Sequence, residues 1–151
     1  RQSDEYLREM AAYFAALELP YPALLAQDIP PERLARGEAL VMHGDEAIGV
    51  PACQACHGER LTGISPDLPG IIGLPPDYIA AQFGNWRESS RRTMPPDCMS
   101  LIAHRLSLAD ITAVSAWLAA QPMPTDTRPD AELVQPLPMP CGSVRSTGVT
   151  P

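Results

Sequence analysis

The amino-acid sequence predicts an all-α domain, and three observations lead to that prediction. Apolar residues recur at three- and four-residue steps in several stretches, which is the spacing of the buried face of an α-helix. The stretches between them are rich in Gly and Pro, and no alternating strand pattern precedes the paired cysteines at positions 53 and 56. The 151 residues suffice for one domain, since a domain of that size buries roughly 70% of its unfolded surface.

The first predicted helix spans residues 3 to 17. Ser3 can cap it, and the acidic residues Asp4 and Glu5 lie at the end where the helix dipole is positive. Prolines at positions 20 and 22 end the helix, and residues 21 to 29 form a connector. One interpretation of this segment is an extra helix packed on the domain. Its apolar face consists of Leu7, Met10, Phe14 and Leu17.

The second predicted helix begins at Pro31, a residue that the first turn of a helix tolerates, and continues to about His43. Gly37 lies inside this helix at a cost of ~1 kcal/mol relative to alanine. We expect a glycine at this position if another helix crosses closely there.

The run from Cys53 to His57 reads Cys-Gln-Ala-Cys-His and predicts a covalently attached haem. Cys53 and Cys56 lie within one helical turn, so both thiols can add to the vinyl groups of a single porphyrin. His57 then projects beneath the macrocycle as the proximal iron ligand. A redox dithiol and a zinc site are the alternatives; the first requires a βαβ context and the second requires two further ligands.

Three further helical segments follow the cysteine motif. A loop rich in Gly and Pro extends from 58 to 76, a composition suited to backbone that follows the edge of a flat cofactor. A helix is predicted from Pro76 to Arg87, and a short helical piece from Leu101 to Arg105. Ser107 and Asp110 form a capping box at the start of the last helix.

The C-terminal stretch from residue 122 is predicted to be an extended tail that wraps the surface. It holds seven of the eighteen prolines and shows no sustained periodicity. Cys141 lies in this tail, and Cys98 lies in the proline-broken loop at 93 to 99. A disulfide that pins the tail over this loop is therefore a hypothesis.

Charge and hydropathy restrict the classes of partner. The formal net charge is −7 and all eleven basic residues are arginine, a composition that makes a poor binder of nucleic acid or of an anionic membrane. No run approaches the ~20 apolar residues of a membrane span. Covalent haem attachment takes place outside the cytoplasm, so we expect a periplasmic protein whose signal peptide has been removed or lies upstream of Arg1.

Beyond the cysteine motif, several short segments follow one pattern in their order and spacing: Arg36 to Leu40, Gly49 to Gly58, Pro69 to Gly73, Tyr78-Ile79, Gln82-Phe83, Arg87, Arg91, Met99 to Ala103, and Leu108 to Ala119. Over about residues 32 to 121 the chain resembles a class I c-type cytochrome, most closely a haem domain of the dihaem cytochrome c-four group. Val41 departs from the pattern, because the family commonly has an aromatic residue there.

The resemblance implies three helices packed around one haem, with the helix before the motif crossing the final helix, so that Gly37 admits Trp117. It also implies three parts: an N-terminal helix and connector at 1 to 30, a haem domain at 31 to 121, and the tail at 122 to 151. Residues 4 to 17 resemble the closing helix of a preceding haem domain. We therefore expect this polypeptide to be the C-terminal part of a longer multihaem chain.

Met99 is the predicted sixth ligand of the iron, because its distance to the Ile102-Ala103 pair resembles the ligand placement of the family. Met94, which precedes two prolines, is the alternative. A neutral thioether favours ferrous iron. Pro69 resembles the family proline whose carbonyl accepts a hydrogen bond from Nδ1 of the proximal imidazole.

Three side chains are predicted to bind the haem propionates: Tyr78, Arg87 and Arg91. A guanidinium group matches a carboxylate through two parallel hydrogen bonds, which is the reason for choosing the arginines. A solvated basic patch is the alternative interpretation.

With both axial positions filled, small substrates do not reach the metal. The sequence therefore predicts an electron carrier or electron-accepting subunit that contains one haem, not an enzyme, with redox proteins as partners. Two alternatives remain open. One is a haem protein with an open sixth position that acts as a gas sensor or enzyme. The other is a docking module of a periplasmic dehydrogenase or oxidase complex, in which the tail and first helix grip a larger subunit.

Overall fold

The computed structural model describes residues 2–17 and 28–144, so most of the predicted connector and the last residues of the tail lie outside the described residues. The described residues form six α-helices, which confirms the predicted fold class. Their bounds are α1 Asp4–Ala15, α2 Pro31–Met42, α3 Gln54–His57, α4 Pro76–Arg87, α5 Cys98–Arg105 and α6 Leu108–Ala120.

Two small antiparallel strand pairs lie in the loops, and the sequence did not predict them. The bounds are β1 Gly44–Asp45, β2 Val50–Pro51, β3 Gly63–Ile64 and β4 Leu68–Pro69, with a 3₁₀ turn at Glu46–Ile48. Each strand has two residues, too few for an alternating pattern to be recognised. The loop after the cysteine motif is therefore more regular than its Gly and Pro content suggests.

Helix starts agree with the capping residues. Ser3 Oγ accepts a hydrogen bond from Tyr6 N at 3.2 Å, and Ser107 and Asp110 form the complete capping box of α6. Helix α5 begins three residues earlier than predicted, at Cys98 instead of Leu101. The reason is Asp97, whose Oδ1 accepts a hydrogen bond from Ser100 N at 3.0 Å and caps the helix.

The centre of the core is the crossing of α2 and α6. A Cβ atom at Gly37 would lie 2.3 Å from Ala113 O and 2.6 Å from Trp117 Cβ, so only glycine permits this approach. This contact confirms the explanation offered for Gly37. Val41 is 0% exposed beside the crossing, and the position where the family has an aromatic residue is thus filled by a smaller core side chain.

Helix α4 packs on α5 and α6 and completes the helical layer around the core. None of the residues of α1 is buried, and Tyr13 and Phe14 are each 63% exposed. Within the described residues, α1 therefore does not pack on the domain, and that interpretation is wrong. Within residues 2–17 and 28–144, no helix has the length and apolar character needed to cross a membrane.

Candidate haem site

A cavity of about 290 Å³ opens between α3, α4, α5 and the C-terminal tail, and its walls are mainly apolar. Cys53, Cys56, His57 and Met99 all line it. The fold thus brings the two thiols of the cysteine motif, the predicted proximal ligand and the predicted sixth ligand to one space.

His57 is buried at the end of α3, and its ring is held by the backbone. Nδ1 lies 2.7 Å from Pro69 O, and because a carbonyl oxygen only accepts, Nδ1 must donate. The Nε2 lone pair is then available to a metal. Burial lowers the pKa of His57, and the Pro69 hydrogen bond opposes that shift without reversing it, so the imidazole is neutral at neutral pH.

Cys53 is the N-cap of α3 and Cys56 lies within this helix, so the two residues are about one helical turn apart, and neither forms a disulfide. Burial raises the pKa of the Cys53 thiol to about 12 and also raises the pKa of Cys56. A redox dithiol needs a lowered thiol pKa, so these shifts disfavour that alternative. Across the described ranges, no three His, Cys, Asp or Glu side chains cluster as a zinc site would require.

The two methionine candidates occupy different places. Met99 lies in the first turn of α5, lines the cavity and packs against the core. Met94 is 67% exposed and is not among the residues that line the cavity. Asp97 braces this loop, since its Oδ2 accepts a hydrogen bond from Thr93 N at 2.8 Å in addition to the cap on α5.

Buried polar atoms at the cavity fit a ligand that is apolar with charged edges. Trp86 Nε1 is buried without a hydrogen-bond partner among the described residues, and both Trp86 and Thr93 line the cavity. A buried donor normally has a partner, so a carboxylate of the ligand would satisfy the Trp86 ring N–H. Arg91 and Tyr78 also line the cavity, and the Arg91 guanidinium carbon lies 4.4 Å from the centroid of the Trp86 ring. Haem, with an apolar macrocycle and two propionates, matches this wall.

Trp86 and Thr93 were not predicted as site residues. Trp86 lies within the helix predicted from Pro76 to Arg87, but periodicity indicates which helix face is buried and not whether a ring N–H is left unpaired. Arg91, five positions after Trp86, could have indicated this role, since a tryptophan and an arginine near the end of one helix can bind the same anion.

The structure separates Arg87 from the other predicted propionate ligands. Its Nη1 donates to Ala103 O at 3.0 Å and to Leu106 O at 2.8 Å, and Arg87 is not among the cavity-lining residues. These carbonyls lie at the C-terminal end of α5, where a cation is favourable. Arg87 therefore joins α4 to α5, and the structure does not support its prediction as a propionate ligand.

The tail contributes the remaining wall. Leu137, Met139 and Cys141 line the cavity, and Met139 packs against the core. Cys98 and Cys141 form a disulfide, which confirms that hypothesis. The tail is thus fixed beside the loop that carries Met99.

No family model matches the sequence. The thiosulfate dehydrogenase electron acceptor of Thiomonas intermedia (strain K12) is 40% identical over 89 residues, which are 59% of this chain and 41% of that protein. Cytochrome c4 of Pseudomonas aeruginosa is 36% identical over 119 residues, 77% of this chain and 56% of that protein. Cytochrome c-554(548) of Halomonas halodenitrificans is 30% identical over 81 residues, 52% of this chain and 98% of that protein. The chain spans about half the length of the first two relatives.

Solved structures agree with these relatives. The thiosulfate dehydrogenase (TsdBA) of Marichromatium purpuratum matches with a TM-score of 0.71 and 29% identity, over 81% of this chain and 26% of that chain. The cytochrome c4 of Acidithiobacillus ferrooxidans matches with a TM-score of 0.65 and 25% identity, over 80% of this chain and 66% of that chain.

Proposed function

The chain belongs to the class I c-type cytochromes, and from this premise we propose that it transfers single electrons through one covalently attached haem held between His57 and Met99. The observation that supports this most is the single cavity at which both thiols, an imidazole with a free Nε2 and a thioether meet. The relatives carry cytochrome and electron-acceptor names, in agreement with electron transfer.

Each residue of the site has a separate task. Cys53 and Cys56 fix the porphyrin by thioether bonds, so the cofactor does not leave with a change of oxidation state. His57 would hold the iron through Nε2, and its hydrogen bond to Pro69 fixes the ring orientation and strengthens the nitrogen as a donor. Met99, which lines the same cavity, would supply a soft neutral ligand. Haem, when bound, supplies an iron that changes between the ferric and ferrous states.

The polar groups of the cavity bind the propionates. Arg91, Tyr78 and Thr93 lie at the wall, and Trp86 would provide a ring N–H that has no partner among the described residues. Placing two carboxylates against these groups neutralises charge that would be costly beside an apolar interior. The mainly apolar remainder of the wall excludes water from the iron.

The partner is a periplasmic dehydrogenase of the thiosulfate-oxidising kind, and the whole protein carries a second haem domain. Relatives named as thiosulfate dehydrogenase electron acceptors support the first part. Two observations support the second: the part of this chain that matches the relatives covers only about half of their length, and α1 is amphipathic with no buried residue. In this arrangement the apolar face of α1 packs against the other haem domain.

The test is expression with periplasmic haem-attachment machinery. We expect a red protein that keeps its haem in denaturing gels, an absorbance band of the sulfur–iron bond in the ferric form, and slow binding of carbon monoxide in the ferrous form. A colourless product, or rapid carbon monoxide binding without the sulfur–iron band, would favour an open-site gas sensor or enzyme. Cys53→Ala/Cys56→Ala is the matched control and should carry no covalent haem.

The dehydrogenase is tested separately. Thiosulfate alone should leave the ferric protein oxidised, and adding a thiosulfate dehydrogenase should reduce it in proportion to the enzyme. Reduction that does not depend on the enzyme would contradict this choice of partner and leave the haem assignment intact.

A further inference from the structure

We propose that the strap, which we define as residues 126 to 144, holds Met99 in its ligand position, and that an external dithiol releases it by reducing the Cys98–Cys141 disulfide. This inference rests on the proposed function, because it takes Met99 as the sixth iron ligand. It makes Cys98 and Cys141 positioning residues for the metal site.

One end of the strap is attached to the loop at 93 to 99, which includes Met99. The disulfide joins the strap to the residue directly before Met99. Gly142 N donates to Pro96 O at 2.9 Å, and Met94 N donates to Ser143 Oγ at 3.1 Å. A Cβ atom at Gly142 would lie 2.1 Å from Pro95 O, so strap and loop are in direct backbone contact. The loop is thus held along its length and not only at the sulfur atoms.

The other anchor lies beside the cysteine motif. Arg60 pairs with Asp126 at 3.2 Å and also with Asp130. Asp130 N donates to Gly63 O at 2.9 Å, and Ser65 N donates to Asp130 O at 2.8 Å, which adds the strap to the edge of β3. The strap is therefore fixed at both ends.

Between the anchors, the strap contributes apolar side chains to the cavity wall. Leu137 and Met139 line the cavity, as do Cys98 and Cys141 themselves. Removing the strap would admit water to the same space that Met99 occupies and would free one side of its loop. Asp97 would then remain as the brace of that loop.

The chemistry of release is thiol–disulfide exchange. A thiolate of the dithiol attacks one sulfur of the disulfide, forms a mixed disulfide and displaces the other cysteine thiolate. The second thiol of the reagent completes the exchange, so the protein gains two thiols while the reagent becomes a disulfide. Two electrons and two protons pass from the dithiol to the two cysteines.

The experiment uses the ferric holoprotein. The disulfide is reduced with dithiothreitol, the freed thiols are alkylated with iodoacetamide, and the iron is reoxidised with ferricyanide. We expect a weaker sulfur–iron band and an affinity for added imidazole about tenfold higher, equivalent to about 1.4 kcal/mol. Affinity rises because imidazole binds only when methionine has left the iron, and release of the strap populates that state. Mass spectrometry counts the alkylated cysteines.

Two variants distinguish a specific effect on the position of Met99 from a general loosening of the fold. Cys98→Ser/Cys141→Ser should show the higher imidazole affinity from the start and should not respond to the dithiol. Arg60→Gln removes only the ion pairs of the distant anchor, where the backbone hydrogen bonds of Asp130 remain, and it should leave imidazole affinity unchanged. The role of the strap would be overturned if the sulfur–iron band and the imidazole affinity stayed unchanged after both cysteines were alkylated. It would also be overturned if imidazole affinity rose equally in the Arg60 variant. Absence of the band from untreated protein would instead overturn Met99 ligation, and the strap proposal with it.

Discussion

His57 Nδ1 and Pro69 O lie 2.7 Å apart, and this hydrogen bond connects the proximal imidazole to a pair of short strands. Pro69 is the last residue of β4, which is paired with β3 through Gly63. The position of the accepting carbonyl therefore depends on backbone pairing and not on the proline side chain, which is exposed.

Gly63→Ala should disturb this hydrogen bond. Gly63 has φ +91°, and an added Cβ would lie 2.5 Å from Gly70 N and 2.6 Å from Leu68 O, so the strand that carries Pro69 must shift. We expect a loss of roughly 1–3 kcal/mol in the free energy of unfolding. We also expect a higher reduction potential, because the imidazole becomes a weaker donor to ferric iron. Chemical denaturation and a redox titration measure the two effects.

Pro69→Ala is the control for that experiment, since it retains the carbonyl. Its potential should stay close to that of the wild type. A shift equal to that of the Gly63 variant would mean that the ring of Pro69, and not its carbonyl, controls the imidazole.

Met99→Ala should abolish the sulfur–iron band and allow the ferrous form to bind carbon monoxide readily, because no thioether would occupy the sixth position. Met94→Ala should retain the band, since Met94 is 67% exposed and does not line the cavity. Visible and near-infrared spectra distinguish the two variants. Loss of the band in the Met94 variant alone would reverse the ligand assignment.

Gly37→Ala and Gly84→Ala should change stability in opposite directions. Both glycines lie inside helices, where alanine is intrinsically better by up to about 1 kcal/mol. At Gly37 the new methyl group would collide with α6, so we expect a net loss of about 1–3 kcal/mol. At Gly84 no atom of the described residues lies within 4 Å of the new Cβ, and we expect stabilisation. Urea unfolding of both variants provides the comparison.

The sequence predicted most of the helices and the grouping of Cys53, Cys56 and His57, because both depend on local patterns. Helices α2 and α4 follow from periodicity and a first-turn proline, and the cysteine motif is contiguous. Arg87 was misplaced because its choice between a propionate and the carbonyls of α5 depends on tertiary geometry. Trp86 was missed because an unpaired buried ring N–H is a property of packing.

Acid should weaken the contact between α2 and α6 through Asp110. Arg36 Nε lies 2.7 Å from Asp110 Oδ1. Burial alone would raise the pKa of Asp110, but hydrogen bonds from Arg36 and Ser107 outweigh it and hold the pKa below its usual value. The carboxylate therefore stabilises the fold fully above its unfolded pKa of about 3.9, and this contribution disappears as the pH falls through the lower folded pKa.

Asp110→Asn tests this pH dependence. Because the Arg36 side chain is partly exposed, the variant should be less stable at neutral pH by no more than about 1 kcal/mol. The difference should shrink as the pH falls below about 4. Urea unfolding over that pH range measures it, with the exposed Glu88→Gln as control. A difference that grows towards acid would contradict the sign of the pKa shift.

Tyr13→Glu/Phe14→Glu should leave the thermal unfolding of this chain unchanged, because both side chains lie on a helix without buried residues. In a longer natural chain, the same double substitution should lower the unfolding temperature, since α1 would then pack against the other haem domain. An equal response in both proteins would remove the support that α1 gives to a second haem domain.

The long sequence separation of the strap contacts has a consequence for the order of assembly. Arg60 and Asp130 are 70 positions apart, and Cys98 and Cys141 are 43 apart. Closing loops of this length costs chain entropy, so such contacts form after the local turns of the helices. We therefore expect the nascent domain to keep one side open, through which a rigid planar prosthetic group can enter. On this expectation attachment precedes closure of the strap, which then seals the finished site.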